Sequence, residues 1–179
     1  NSTFKTNPYL ERGLLTGITR VSKESSAYGN FKDALIAGDL DYMNQFMNQV
    51  ALQTFSSFDI GNKPSEEQEP ERFYHGFVLG LIVDLAEKYR ITSNRESGFG
   101  RYDVVMEPLK ENLDAIVMEF KVQNMTKEKS LEQTVENALR QINEKEYDTE
   151  LLARGIKKER IRHYGFAFRG KKVLIGTEE

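Results

Sequence analysis

One ten-residue segment constrains this chain more than any other. Residues 113–122 read LDAIVMEFKV. Side chains alternate faces along a strand, so Ala115, Val117, Glu119 and Lys121 share one face, and Ile116, Met118 and Phe120 share the other. Both faces are mostly apolar, the pattern of a central strand covered on both sides. A carboxylate and an ammonium then stand at the end of a buried strand. Burying charge is costly unless the charge is paired or binds a metal. Taken alone, Glu119 and Lys121 could simply neutralise each other.

The flanking sequence supplies what such a strand needs. Residues 71–89 form a long helix candidate with Pro70 just before it. Phe73, Phe77, Leu81 and Leu85 recur every four residues there, with Tyr74, Val78 and Ile82 beside them. Strand candidates follow at 90–97 and 100–107, punctuated by Gly98 and Gly100. A connection at 108–112 leads into 113–122. Residues 128–146 read as an amphipathic helix through Leu131, Val135, Ala138, Leu139 and Ile142. Two short strands, 162–168 and 171–175, turn at Arg169 and Gly170. The order from residue 71 is α-β-β-β-α-β-β, which implies a sheet flanked by helices. Upstream, residues 31–55 read as two helices parted at Gly38 and Asp39. Residues 10–21 look like a short strand. An acidic stretch with Pro64 and Pro70 reads as a linker. The first 60 residues carry packing patterns and no chemistry.

If strands 100–107 and 113–122 form a hairpin, Asp103 and Glu119 are symmetric about position 111, since (103 + 119)/2 = 111. Cross-strand partners have Cβ atoms ~5 Å apart. Two like charges that close are destabilising unless a cation lies between them. Hard carboxylate oxygens suit Mg²⁺ or Mn²⁺ at ~2.1 Å. With Lys121 two residues on, this is a metal-plus-cation arrangement for phosphate chemistry. On the helix before it, Glu71 and His75 lie one turn apart inside the apolar arc of Tyr74, Val78, Ile82 and Tyr89, and at least one is expected to reach the metal site. The plain alternatives are a Glu stabilised at a helix start and a core histidine. On the second helix, Thr134, Gln141 and Lys145 edge the apolar stripe, and Gln141 and Lys145 are one turn apart.

Composition narrows the classes. The net charge of −3 does not advertise a polyanion partner, and no stretch approaches the ~20 apolar residues of a membrane helix. The N-terminal residues lack the order of a signal peptide. No cysteine is present, which excludes disulfides and thiolate metal sites and fits a reducing, cytoplasmic setting. Charge is nevertheless local. Residues 153–172 hold Arg154, Lys157, Lys158, Arg160, Arg162, Arg169, Lys171 and Lys172 against a single acid, Glu159. This run is a candidate phosphate grip, or else a solvated face. Arg95 and Arg101, beside the glycine turn at 97–101, are further candidates; surface salt bridges are the alternative.

Together these residues resemble a known family. The array Asp103…Glu119-x-Lys121, set between a helix bearing Glu71 and one bearing Gln141, resembles the PD-(D/E)XK nuclease superfamily. More closely, ERFYHGFVLGL, SNRESGFGRYDVV, IVMEFKV, ALRQI with Lys145 and Tyr147, and YGFAFRGKKVLI are similar to the C-terminal nuclease-like domain of bacterial AAA-ATPase-like proteins, over about residues 31–175. Tyr102 stands where that motif usually has proline. The resemblance implies a restriction-endonuclease-like three-layer α/β/α core over 69–179, with a mainly helical extension and linker at 31–68. It implies a nuclease using Mg²⁺ or Mn²⁺ to hydrolyse phosphodiester bonds, with DNA favoured over RNA. Asp103 and Glu119 would bind the metal, and Glu71 would assist through a water or a second metal. Lys121 would position or activate water, and Gln141 would orient the water or Lys121. His75, Lys145 and Arg101 are accessory candidates, and Arg95, Arg154, Lys157, Lys158 and Arg160 candidates for gripping nucleic acid. Residues 1–30, including ERGLLTGITRVSKES, are similar to the end of an ATPase domain. No G-x-x-x-x-G-K-[ST] occurs in these 179 residues, so an ATPase partner in cis or trans is expected. A homodimer is compatible with this reading, and no membrane partner is expected. The alternative is a catalytically silent module of the same fold that binds nucleic acid or protein.

Overall fold

The computed structural model describes residues 25–54, 68–97 and 100–178, with side chains described for 31–53, 73–93 and 103–178. Two helices come first, α1 (Ser25–Ala37) and α2 (Leu40–Thr54). They part at Gly38, whose φ of +81° is open to glycine at little cost. Next comes α3 (Gln68–Ile82), which tightens into a 3₁₀ turn, Val83–Glu87. The long helix expected over 71–89 therefore ends earlier, and Tyr89 opens a strand instead. Such tightening is usual where a helix runs out of partners for its last carbonyls. The expected strand at 10–21 and most of the expected linker lie outside the described residues.

The sheet has five strands in sequential order: β1 (Tyr89–Ser97), β2 (Gly100–Pro108), β3 (Ala115–Val122), β4 (Ile161–Arg169) and β5 (Lys172–Gly176). All neighbours are antiparallel except β3 and β4, which are parallel. A parallel pair needs a crossover. Here it is α4 (Leu131–Glu144), followed by a short helix α5 (Thr149–Ala153) and a 3₁₀ turn at Lys158–Arg160 that the sequence pattern did not suggest.

Alternation along β3 builds two cores. Ile116, Met118 and Phe120 join Phe31, Leu35, Met43, Tyr74, Val78, Phe166 and Phe168 beneath α1–α3. Ala115 and Val117 join Val105, Val135, Leu139, Ile142, Leu151 and Ala167 beneath α4. The result is the α/β/α layering expected, with α1 and α2 continuous with the sheet's own core. Each large side chain so buried contributes roughly 1.5–3 kcal/mol.

Strand β5 is an edge, and α2 closes it. Asn44 donates to the Ile175 carbonyl at 2.9 Å and accepts its N–H at 2.8 Å; Asn48 does the same with Val173 at 2.7 and 3.0 Å. The side-chain amides take the place of a neighbouring strand, so the edge offers no template to another chain. On the other face, Gly165 lies opposite Glu119 in the β3–β4 register. A Cβ at Gly165 would meet the Val135 carbonyl oxygen at 2.9 Å and the Ala138 Cβ at 3.2 Å. Glycine at this position lets α4 lie close against β4, which brings the C-terminal half of α4 to β3. Among the described residues no helix is long and apolar enough to cross a membrane.

Candidate active site

The β2–β3 register pairs Val104 with Met118, Val105 with Val117 and Met106 with Ile116, all centred on position 111. Asp103 is the next residue of β2 beyond the last of these pairs, and Glu119 the next of β3. Asp103 follows Val105 by the strand alternation onto the α4 face, where Glu119 and Lys121 also lie. The Asp103 carboxylate reaches across to β3, where its Oδ2 accepts the Phe120 N–H at 2.8 Å. Glu119 is only 3% exposed. The two carboxylates therefore occupy one face of adjacent strands.

Charge in this setting carries an electrostatic cost. Burial raises the Asp103 carboxyl above its ordinary range, although the Phe120 N–H and the charges of His75 and Lys121 all favour the carboxylate. Lys121 donates to Gln141 Oε1 at 2.7 Å and lies 3.7 Å from Glu119 Oε1. Gln141, from α4, uses both ends of its amide. Its oxygen receives Lys121, and its NH₂ donates to Glu119 Oε1 and, at 3.0 Å, to the Tyr147 hydroxyl. Tyr147 is buried, and burial pushes its hydroxyl up to about 12; the nearby Glu119 and Asp103 charges act in the same direction, against the Gln141 hydrogen bond. The phenol stays protonated at neutral pH.

The remaining expected residues divide. His75 on α3 packs its ring 5.6 Å from that of Phe120, near enough for its charge to bear on Asp103. Glu71 lies one turn earlier on α3, at the same end of the sheet, with its side chain outside the described residues. Lys145 is exposed at the C-cap of α4 and is in no described ion pair. Thr134 is buried and donates to Glu128 at 2.9 Å. Arg95 and Arg101 belong to the β1–β2 hairpin at the Asp103 end of the sheet, with side chains outside the described residues.

The first part of the basic run sits apart from the carboxylates. Residues 154–160 lie where β3 and β4 begin, the opposite end of the sheet from Lys121. Arg160 bonds Asp114 at 2.9 Å, and Arg154 pairs with Glu107 and Glu150. Lys157 lies 4.0 Å from Glu159, and Lys158 is exposed. From Ala115 to Lys121 the strand climbs roughly 20 Å at ~3.3 Å per residue. The structure therefore does not bring Arg154, Lys157, Lys158 or Arg160 to the carboxylates; local acids 46 or 47 residues away in sequence hold both arginines.

Tyr147 was not singled out as a site residue by spacing. It lies beyond the end of α4, past Glu146, whose φ of 51° turns the chain back on itself. No helical period reaches across such a turn.

Among the described residues no three His, Cys, Asp or Glu side chains are grouped to hold a metal. The donor set on offer is the Asp103–Glu119 pair. Hard carboxylate oxygens on neighbouring strands, Glu119 buried and Asp103 partly so and penalised for its charge, fit a hard divalent cation better than a soft one. Comparison with known proteins gives one match: the model of the PD-(D/E)XK nuclease superfamily covers residues 69–178. No curated protein and no solved structure matches.

Proposed function

The chain belongs to the PD-(D/E)XK nuclease superfamily, and we propose that it is a divalent-metal-dependent nuclease hydrolysing phosphodiester bonds in nucleic acid. The observation that carries this reading is the placement of Asp103 and Glu119 across neighbouring strands with Lys121 beside them. In this reading Asp103 and Glu119 hold Mg²⁺ or Mn²⁺, with Glu71 as a further acidic group from α3. The ion supplies Lewis acidity toward the phosphate. Water attacks phosphorus, the bond to the leaving oxygen breaks, and that oxygen departs as a hydroxyl.

The chain's own residues set the geometry for this step. Lys121 places an ammonium against the negative charge that grows on the phosphate. Gln141 holds Lys121 by its oxygen and Glu119 by its NH₂, so neither side chain swings away when the other moves. Lys121, which can only donate, and the Glu119 carboxylate, which only accepts, fix which way the amide faces, and the Tyr147 hydroxyl accepts from its NH₂. His75 adds positive potential behind Asp103 when protonated.

The test is a cleavage assay on DNA and RNA substrates with Mg²⁺, Mn²⁺ or chelator, comparing wild type with Lys121→Ala. Metal-dependent cutting by wild type, reduced by about 10²–10³ in the variant, is expected. Equal cutting by the variant would remove Lys121 from the mechanism. No cutting by wild type would move the reading to a silent binding module, unless adding the ATPase partner suggested by the N-terminal resemblance restores it.

A further inference from the structure

The cations of this molecule are unevenly committed. At the end of the sheet where β3 begins, Arg154, Arg160 and Arg162 are taken up by Glu107, Glu150 and Asp114. At the other end, where Lys121 lies, the β3–α4 loop (123–130) and the β4–β5 turn (169–172) hold Lys127, Lys129, Arg169 and Lys171. Among the described residues none of these four is in an ion pair.

The β3–α4 loop is also built in advance. Asn124 Oδ1 accepts the Thr126 N–H at 3.1 Å and its hydroxyl at 2.6 Å, and the Asn124 carbonyl accepts Lys127 and Glu128 N–H groups at 3.0 and 2.8 Å. Glu128, the only acid of 123–130, turns inward. Its carboxylate accepts from Asn124 N–H at 2.8 Å, from Thr134 Oγ1 at 2.9 Å and from Asn137 Nδ2. Burial opposes that charge, but these bonds outweigh it and hold Glu128 below its ordinary range. What faces outward is Lys127, Lys129 and Met125, an apolar side chain left 66% exposed. A rigid loop that hides its acid and presents two ammonium groups around an apolar side chain is complementary to a nucleic-acid backbone with its bases.

We propose that the β3–α4 loop is a nucleic-acid contact arm: Lys127 and Lys129 pair with phosphates of the strand held at Lys121, and Met125 packs against a neighbouring base. Arg169 and Lys171 carry the same phosphate path across the end of β4. The proposal rests on the nuclease reading, since that reading puts the strand at this end of the sheet. Because the loop is held by its own hydrogen bonds, its ordering cost is met before the strand arrives.

The test is binding of short labelled single strands and duplexes by fluorescence anisotropy in Ca²⁺, across a range of salt. For Lys127→Gln with Lys129→Gln, Kd is expected to rise about tenfold or more, and the slope of log K against log salt to shrink by about 1.4–1.8, the share of two phosphates. Met125→Ala should raise Kd by a few-fold with the slope unchanged. Lys157→Gln with Lys158→Gln, at the opposite end, should stay within about twofold of wild type. Unchanged binding in the loop variant, or an equal loss in both lysine pairs, would overturn the arm and leave the nuclease reading in place. Failure of wild type to bind either substrate would overturn both. Lys127 and Lys129 are exposed, and unshifted thermal melts are expected to show that the variants fold.

Discussion

Gln141 shows how much chemistry a single neutral side chain can order. Its oxygen can only accept and its NH₂ can only donate. With Lys121 on one side and Glu119 and Tyr147 on the other, one amide orientation satisfies every partner. Gln141→Leu keeps the volume and removes both ends, so cleavage is expected to fall about 10–100-fold with a stability loss of about 1–3 kcal/mol from the partners it leaves; kcat and urea midpoints measured on one preparation check this. His163 makes a second residue-scale case. It is buried on β4, with Asp148 at 2.8 Å and Glu178 at 3.4 Å. Burial works against its charge, but the Asp148 bond and the two carboxylates outweigh that and raise it above its usual 6.5. A raised folded-state value contributes stability that is complete below 6.5 and lost as pH rises through the folded value. His163→Gln should therefore be most destabilising in mild acid, by roughly 3–5 kcal/mol if the whole buried pair is disrupted, and less so in mild base. A gap that widens with pH would contradict this.

At the scale of elements, two contacts decide where the helices sit. Gly165→Ala would press a methyl against the Val135 carbonyl and lift α4 from β4. The expected cost is about 1–3 kcal/mol, with a larger loss of cleavage than of stability, because Gln141 rides on the same helix. On the other face, Asn44→Ala with Asn48→Ala removes four hydrogen bonds from the β5 edge. A loss of roughly 2–4 kcal/mol is expected by urea unfolding, with concentration-dependent aggregation as the edge opens. The elements themselves were largely legible in the sequence. Two-residue alternation in 113–122 named the central strand, and turns near 98, 108–112 and 170 bounded the others. The α3 end was misplaced because the apolar spacing of Leu85 and Tyr89 continues past the point where the α-helix stops. The short α5 was missed because five residues span too little for a period to show.

For the molecule as a whole, legibility depended on how far apart the partners lie. The pairs centred on position 111 were legible because a hairpin turns sequence distance into register. The fates of Arg154 and Arg160 were not, since Glu107 and Asp114 come to them through folding rather than through spacing. Within that run of positive charge, Arg154, Arg160 and Arg162 became ion pairs at one end of the sheet. The other end kept its cations on the side of the sheet where Asp103 and the buried Glu119 lie, the arrangement the proposed nuclease would use to gather phosphate and a divalent ion. Measuring Mn²⁺ binding calorimetrically, on wild type, Asp103→Asn and Glu119→Gln, tests that claim most directly. Saturable binding by wild type that is lost in both variants, with folding intact, is the predicted result. The same affinity in all three would place the ion elsewhere and contradict the site.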